Sequence, residues 1–197
     1  MGDKLKQKPY VSYDSGSDEE GDDVEDLLPL EKLNLGPQKK LLVLCLGDLL
    51  VRRVHVRDRR TVRGFEPDVT HGKFLVFKRP LCTEFMKFCF DRFVVGLWSS
   101  ARDHNIDAVL SCITGHGNRH KLAFVWAQEE CEDSGFYCLE KEEKPIFLKR
   151  LEDLWGKKYP ITLPWKNGQY SASNTLLIDT EPHVSLLNPV CISPAFL

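Results

Sequence analysis

Cys45 and Gly47 stand two residues apart at the end of the apolar run Leu41-Leu42-Val43-Leu44-Cys45-Leu46-Gly47-Asp48. A buried parallel strand running into a tight turn could hold two carboxylates at that spacing for phosphoryl transfer. One attacks phosphorus and the other moves the proton. A thiol at 45 and a bare hydrogen at 47 put both steps in question.

In an open parallel sheet, ligands bind outside the carboxyl ends of the strands. Strand-ending residues are therefore the ones to read. They are Cys45, Gly47 and Asp48, then Ser99 and Ser100, then Asp179 and Thr180, with Lys149 expected on a helix before the last strand. Three ways to keep the chemistry stay open, each weakened by the residues themselves. Shifting the register to make Asp48 the nucleophile puts Leu50 in the proton-transfer position. A cysteine phosphatase needs C-x₅-R, but Val51 holds the place of the arginine and Arg52 comes one residue late. Asp179 alone, helped by a hydroxyl, is a weak Mg site.

The elements that must position these residues are read from periodicity. Strands are expected at 41–46, 73–77, 93–98, 121–126 and 174–178, and helices at 80–91, 101–111 and 145–155. Strands alternating with helices imply an α/β fold of three layers with a mainly parallel sheet. Pro80 is expected in the first turn of its helix. Ser100-x-x-Asp103 reads as a capping box. Arg52, Arg53, Arg57, Arg59, Arg60 and Arg63 belong to a small two-stranded flap or loop after the first strand, beside the mouth of the sheet. They are candidates for contacting an acidic or phosphorylated partner. Arg79 is read as structural, pairing with a carboxylate. His104, His116 and His120 are read as solvated loop residues near the end of the second helix.

Residues 1–37 differ in kind. Asp14, Asp18, Glu19, Glu20, Asp22, Asp23, Glu25 and Asp26 lie among serines and glycines. Such a segment buries too little apolar area to offset its chain entropy, so a disordered acidic tail is expected. Ser15 and Ser17 each have an acidic residue three positions on, which suits an acid-directed kinase. Leu27 to Leu35 is a short apolar patch suited to docking on the domain. Residues 38–197 form the folded domain.

Seven scattered cysteines without a C-x-x-C pair argue against a zinc site and for a reducing compartment. A net charge of −2 gives no general attraction to nucleic acid. No apolar run spans a bilayer, and no secretory or transit signal is legible. A nuclear or cytoplasmic place is expected.

Five blocks in order, KKLLVLCLGDLLV, FKRPLCTEFMKF, VVGLWSSARDHNIDAVL, KPIFLKRLEDLW and YSASNTLLIDTEPHVSLLNP, carry a resemblance over about residues 39–195. The chain resembles the haloacid-dehalogenase-like phosphatase domain of RNA polymerase II C-terminal-domain phosphatases and NLI-interacting-factor-like proteins, in the wording of small plant members. The resemblance implies an aspartyl-phosphate mechanism. It also implies a hydroxyl and a lysine holding the phosphoryl oxygens, and Mg held by carboxylates. Carried over, Cys45 takes the nucleophile position and Gly47 the acid/base position. Ser99 and Lys149 keep the phosphate-binding positions. Asp179 keeps the metal position, and Thr180 stands where a second Asp or Asn is usual. Mg is therefore expected only if the domain is active.

The same wider family includes a mitochondrial import translocase subunit that works by binding. The absence of a presequence or anchor argues against a mitochondrial place here. The expectation is a catalytically impaired phosphatase-like domain that binds a phosphorylated or acidic segment of a protein partner. Neither direct nucleic-acid nor membrane contact is expected. The alternative is a weak Mg-dependent protein serine/threonine phosphatase.

Overall fold

The computed structural model describes residues 38–115, 117–139, 141–156, 163–188 and 192–194. The expected acidic tail, the 27–35 patch and His116 lie outside them. The elements below all belong to the unit Gln38–Leu197.

The run at 41–46 makes β1 (Leu41–Leu44), with every residue buried. Apolar residues at successive positions fit a strand covered on both faces. Its sheet contains β5 (Val94–Trp98), β6 (Leu122–Trp126), β9 (Thr175–Asp179) and β10 (Ile192–Pro194), in the order β10-β9-β1-β5-β6. All neighbours are parallel. The register sets Leu44 opposite both Leu97 and Ile178. Cys45, Ser99 and Asp179 therefore leave the sheet at the same carboxyl edge.

Alternate side chains of each strand point to opposite faces. Leu42, Leu44, Val95 and Leu97 pack against Met86 and Cys89 of α1 (Cys82–Arg92) and Ile106 and Leu110 of α2 (Asp103–Thr114). On the other face, Leu41, Val43, Phe124 and Leu177 meet Leu151, Tyr170, Val184 and Leu154 of α3 (Glu152–Trp155). Trp98 lies there edge-to-face on Trp126, with centroids 4.7 Å apart. The result is the three-layer α/β arrangement, with the second outer layer built mostly from loop segments.

The flap has three strands, β2 (Val51–His55), β3 (Val69–His71) and β4 (Phe74–Lys78), in the antiparallel order β2-β4-β3 over a small core of Val54, Val62 and Leu75. Two expectations change here. The strand foreseen at 73–77 belongs to the flap, not to the parallel sheet. The flap expected with two strands has three, and its arginines Arg52, Arg53, Arg57, Arg59 and Arg60 occupy β2 and a 3-10 turn, Val56–Val62, in which the N–H of Arg57 donates to His55 Nδ1 at 3.1 Å.

The helix expected at 145–155 is also corrected. Residues Lys141–Leu148 form strand β8, paired with β7 (Glu132–Cys138) in a separate hairpin. Only the four residues of α3 are helical. Cross-strand pairing overrides the helical spacing of the sequence. The other helix starts shift as well. α1 begins at Cys82 behind Leu81, which has φ 60 and is 74% exposed, so Pro80 precedes the first turn. α2 is capped by the backbone of Arg102 with no side-chain bond, so Ser100 and Asp103 make no capping box. Among the described residues, Arg79 makes no ion pair; its N–H donates to the Leu50 carbonyl. No described helix is long and apolar enough to cross a membrane.

Candidate functional site

A cleft of about 610 Å³ opens at the carboxyl edge of the parallel sheet. Cys45, Gly47, Ser99, Lys149, Asp179 and Thr180 all line it. Separate segments of the chain thus bring the residues singled out in the sequence to one place.

β1 delivers Cys45, which is 4% exposed. Its S–H donates to the Gly47 carbonyl at 3.4 Å and lies 3.9 Å from Thr180 Oγ1. Burial pushes the Cys45 thiol up to about 11, and the charge of Asp179 pushes the same way; Lys149 and Thr180 oppose them more weakly. At neutral pH the thiol, not the attacking thiolate, is therefore the favoured form. Asp48 lines the cleft too, but sits exposed in the following turn with φ 57. It is Cys45 whose proton feels the charges of Lys149 and Asp179.

Lys149 comes from the connection between β8 and α3, not from a helix. It is 3% exposed, and its ammonium donates to Asp179 Oδ2. Asn188 fixes the backbone around it. Asn188 Nδ2 donates to the Lys149 carbonyl at 2.5 Å and to Val184 O at 3.1 Å, and Asn188 Oδ1 accepts from Leu151 N–H at 2.9 Å. Asp179 ends β9, and its other oxygen accepts the Glu181 N–H at 3.0 Å. Thr180 Oγ1 donates to the Gly47 carbonyl at 3.2 Å. Ser99 is 6% exposed and accepts from Ala101 N–H at 3.1 Å, which leaves its O–H to donate.

The resemblance implies Mg, which prefers several hard oxygen ligands. The donors here do not fit it. Of the positions the resemblance assigns, Asp179 supplies the one carboxylate, and it is already paired with the Lys149 ammonium; Cys45 offers a protonated sulfur and Gly47 no side chain. No group of three His, Cys, Asp or Glu among the described residues is placed to hold a metal ion.

Sequence reasoning missed several lining residues. Arg53, alone of the arginine stretch, reaches the cleft, with its guanidinium 4.5 Å from the Phe74 ring centroid. Arg53 is half-buried in β2 where Arg52 is exposed, and the burial along that strand does not alternate in a way the sequence could have shown. His104 lines the cleft from the start of α2, beside Arg102 and 6.2 Å between ring centroids from His71. His120 points elsewhere, against Gly117 O at 2.7 Å. Lys144 and Glu181 close one side with a 2.8 Å ion pair.

The chain shows three kinds of likeness to known proteins. A family model described as NLI interacting factor-like phosphatase fits residues 40–193. An uncharacterised FCP1 homology domain-containing protein of Schizosaccharomyces pombe is 28% identical over 142 residues, 72% of this chain and 54% of that protein. The chain thus spans about half the length of that curated relative. The solved structure of Fcp1, an essential RNA polymerase II CTD phosphatase, superposes with a TM-score of 0.52 at 14% identity, covering 79% of this chain and 41% of that one. Fission yeast Fcp1 bound to beryllium fluoride gives 0.52 at 14% identity, covering 84% and 43%. The solved structures share the fold, and the family model covers most of the sequence. The chain belongs to the NLI interacting factor-like phosphatase family.

Proposed function

We propose that this domain binds a phosphorylated or acidic segment of a partner protein and does not turn it over. The observation that carries the reading is an asymmetry in one cleft. The groups suited to hold a phosphoryl oxygen, Ser99 and Lys149, are present, while the nucleophile position holds a buried, protonated Cys45.

The ammonium of Lys149 has three N–H donors, and Asp179 takes one. Ser99 adds its O–H. Arg53, held over Phe74, adds a planar guanidinium suited to phosphate oxygens. Charge-assisted hydrogen bonds of this kind contribute about 1.5–3 kcal/mol each. Turnover lacks matching support. Gly47 cannot move a proton, a loss that alone costs a factor of about 10² to 10⁴. A nuclear or cytoplasmic place stays part of the proposal.

A second reading, a weak Mg-dependent serine/threonine phosphatase, is favoured by the family match itself. The full chain, a fluorescent phosphoserine peptide and its unphosphorylated twin separate the two. Binding predicts saturable, phosphate-dependent anisotropy, and no phosphate released when Mg is present. Mg-dependent release that disappears in Asp179→Asn supports the second reading and overturns the first.

A further inference from the structure

The buried acceptors of the cleft are satisfied by protein donors, while Lys149 and Ser99 keep donors to spare. Asp179 receives the Lys149 ammonium on one oxygen and the Glu181 N–H on the other. The Gly47 carbonyl receives the Thr180 hydroxyl and the Cys45 thiol. Lys149, Asp179 and Asn188 are each more than nine-tenths buried, so this arrangement is part of the folded core rather than a surface accident. Glu181, the next carboxylate, is turned to Lys144.

A site with carboxylates at 45, 47 and 179 is too negative to accept a phosphoryl group unless a divalent cation offsets it. Cys45 and Gly47 remove two negative charges, and doing without a divalent cation removes two positive ones. The field that an incoming anion meets is then little changed, with Lys149 balancing Asp179.

We propose that the cleft is a Mg-independent phosphoryl-anion receptor, in which Lys149 does for Asp179 what a divalent cation does for a carboxylate-rich site. The proposal rests on the binding reading above. It adds that phosphoanion affinity is indifferent to Mg, and that this indifference is set by residues 45 and 47. At 47 the reverse substitution is sterically open. A Cβ at Gly47 meets nothing within 4 Å, and the backbone there is outside the left-handed region.

The test uses the full chain and inorganic phosphate, followed by titration calorimetry and thermal midpoint, in Mg or in excess EDTA. Affinity for phosphate should agree within about twofold between the two buffers, and Mg alone should leave the midpoint unchanged. In the Cys45→Asp/Gly47→Asp variant, Mg should raise the midpoint and phosphate binding should become Mg-dependent. Gly47→Asp alone serves if the double variant does not fold, with a smaller shift in the same direction. Phosphate binding by the unaltered chain only with Mg, or a midpoint raised by Mg, overturns this inference and leaves the binding reading standing. No phosphate binding in either buffer overturns both. Variants indifferent to Mg also overturn it, since the carboxylates would then not create the need for the cation.

Discussion

Lys149 and Asp179, 30 residues apart in the chain, form an ion pair whose side chains are only 4% and 2% exposed. One comes from the end of the β7–β8 hairpin segment and the other from the end of β9. The pair ties the hairpin side of the cleft to the central sheet. It also occupies the carboxylate with which β9 ends.

Removing either partner should be costly. Asp179→Asn leaves a buried ammonium without its counter-charge, and Lys149→Met leaves a buried carboxylate. Each should lower unfolding free energy by about 3–5 kcal/mol, measured by urea denaturation. Lys149→Met/Asp179→Leu together should cost less than the sum of the two. Single variants as stable as the unaltered chain would show that the pair is open to water.

Stability should fall at alkaline pH. Burial raises Cys45, Cys82, Cys89 and Cys131 to about 11 from the ordinary 9.0. The folded chain therefore holds these protons to higher pH than the unfolded chain. Their contribution is complete below about pH 9 and is lost as pH rises through about 11. Urea midpoints should drop across that window, and Cys89→Ala should reduce the drop. The same burial should slow alkylation of Cys45 by iodoacetamide at pH 8, behind the more accessible Cys138. A flat profile, or Cys45 labelled first, would count against the assigned environment.

Gly96→Ala should destabilise the sheet. A Cβ there would overlap the Phe124 ring, and that ring is packed on Trp126 and Trp165. Overpacking of this kind costs about 1–3 kcal/mol or more, since the ring has little room to retreat. Phe124→Leu in the same chain should recover part of the loss. A stable Gly96→Ala protein would mean that β5 and β6 can separate.

The flap arginines should divide into two classes. Arg53→Ala removes a guanidinium that lines the cleft and should weaken phosphopeptide binding about tenfold, the equivalent of about 1.4 kcal/mol. Arg57→Glu/Arg59→Glu/Arg60→Glu changes exposed charges. It should act mainly on peptides carrying an acidic run, by about threefold at low salt, and fade as salt screens the interaction. Equal effects on acidic and neutral phosphopeptides would contradict that division.

The parts of the fold legible in the sequence are those with strong periodicity or continuous burial. β1, β5, β6 and β9 are short apolar runs, and α1 and α2 repeat their apolar residues at helical spacing. Cys45, Gly47, Ser99, Asp179 and Thr180 can be placed together because each follows or ends a parallel strand, and such strands open on a common edge. The β7–β8 hairpin is illegible for the opposite reason. Its pairing is antiparallel with register shifts, and Pro145-Ile146-Phe147-Leu148 has no period that separates strand from helix. Lys149 is legible as a residue of the cleft through the family resemblance, while the element that carries it is not. Arg53, His104 and Lys144 reach the cleft through the flap, a helix start and the hairpin, where local sequence says little about direction.

The central claim is that the cleft holds a phosphoryl group without breaking its bond. Phosphorus NMR of a phosphoserine peptide mixed with an equal amount of full chain in Mg observes both events at once. The peptide resonance should shift or broaden in a saturable way, and no inorganic phosphate resonance should grow. An inorganic phosphate signal that grows with protein concentration and is absent in Asp179→Asn would contradict the account.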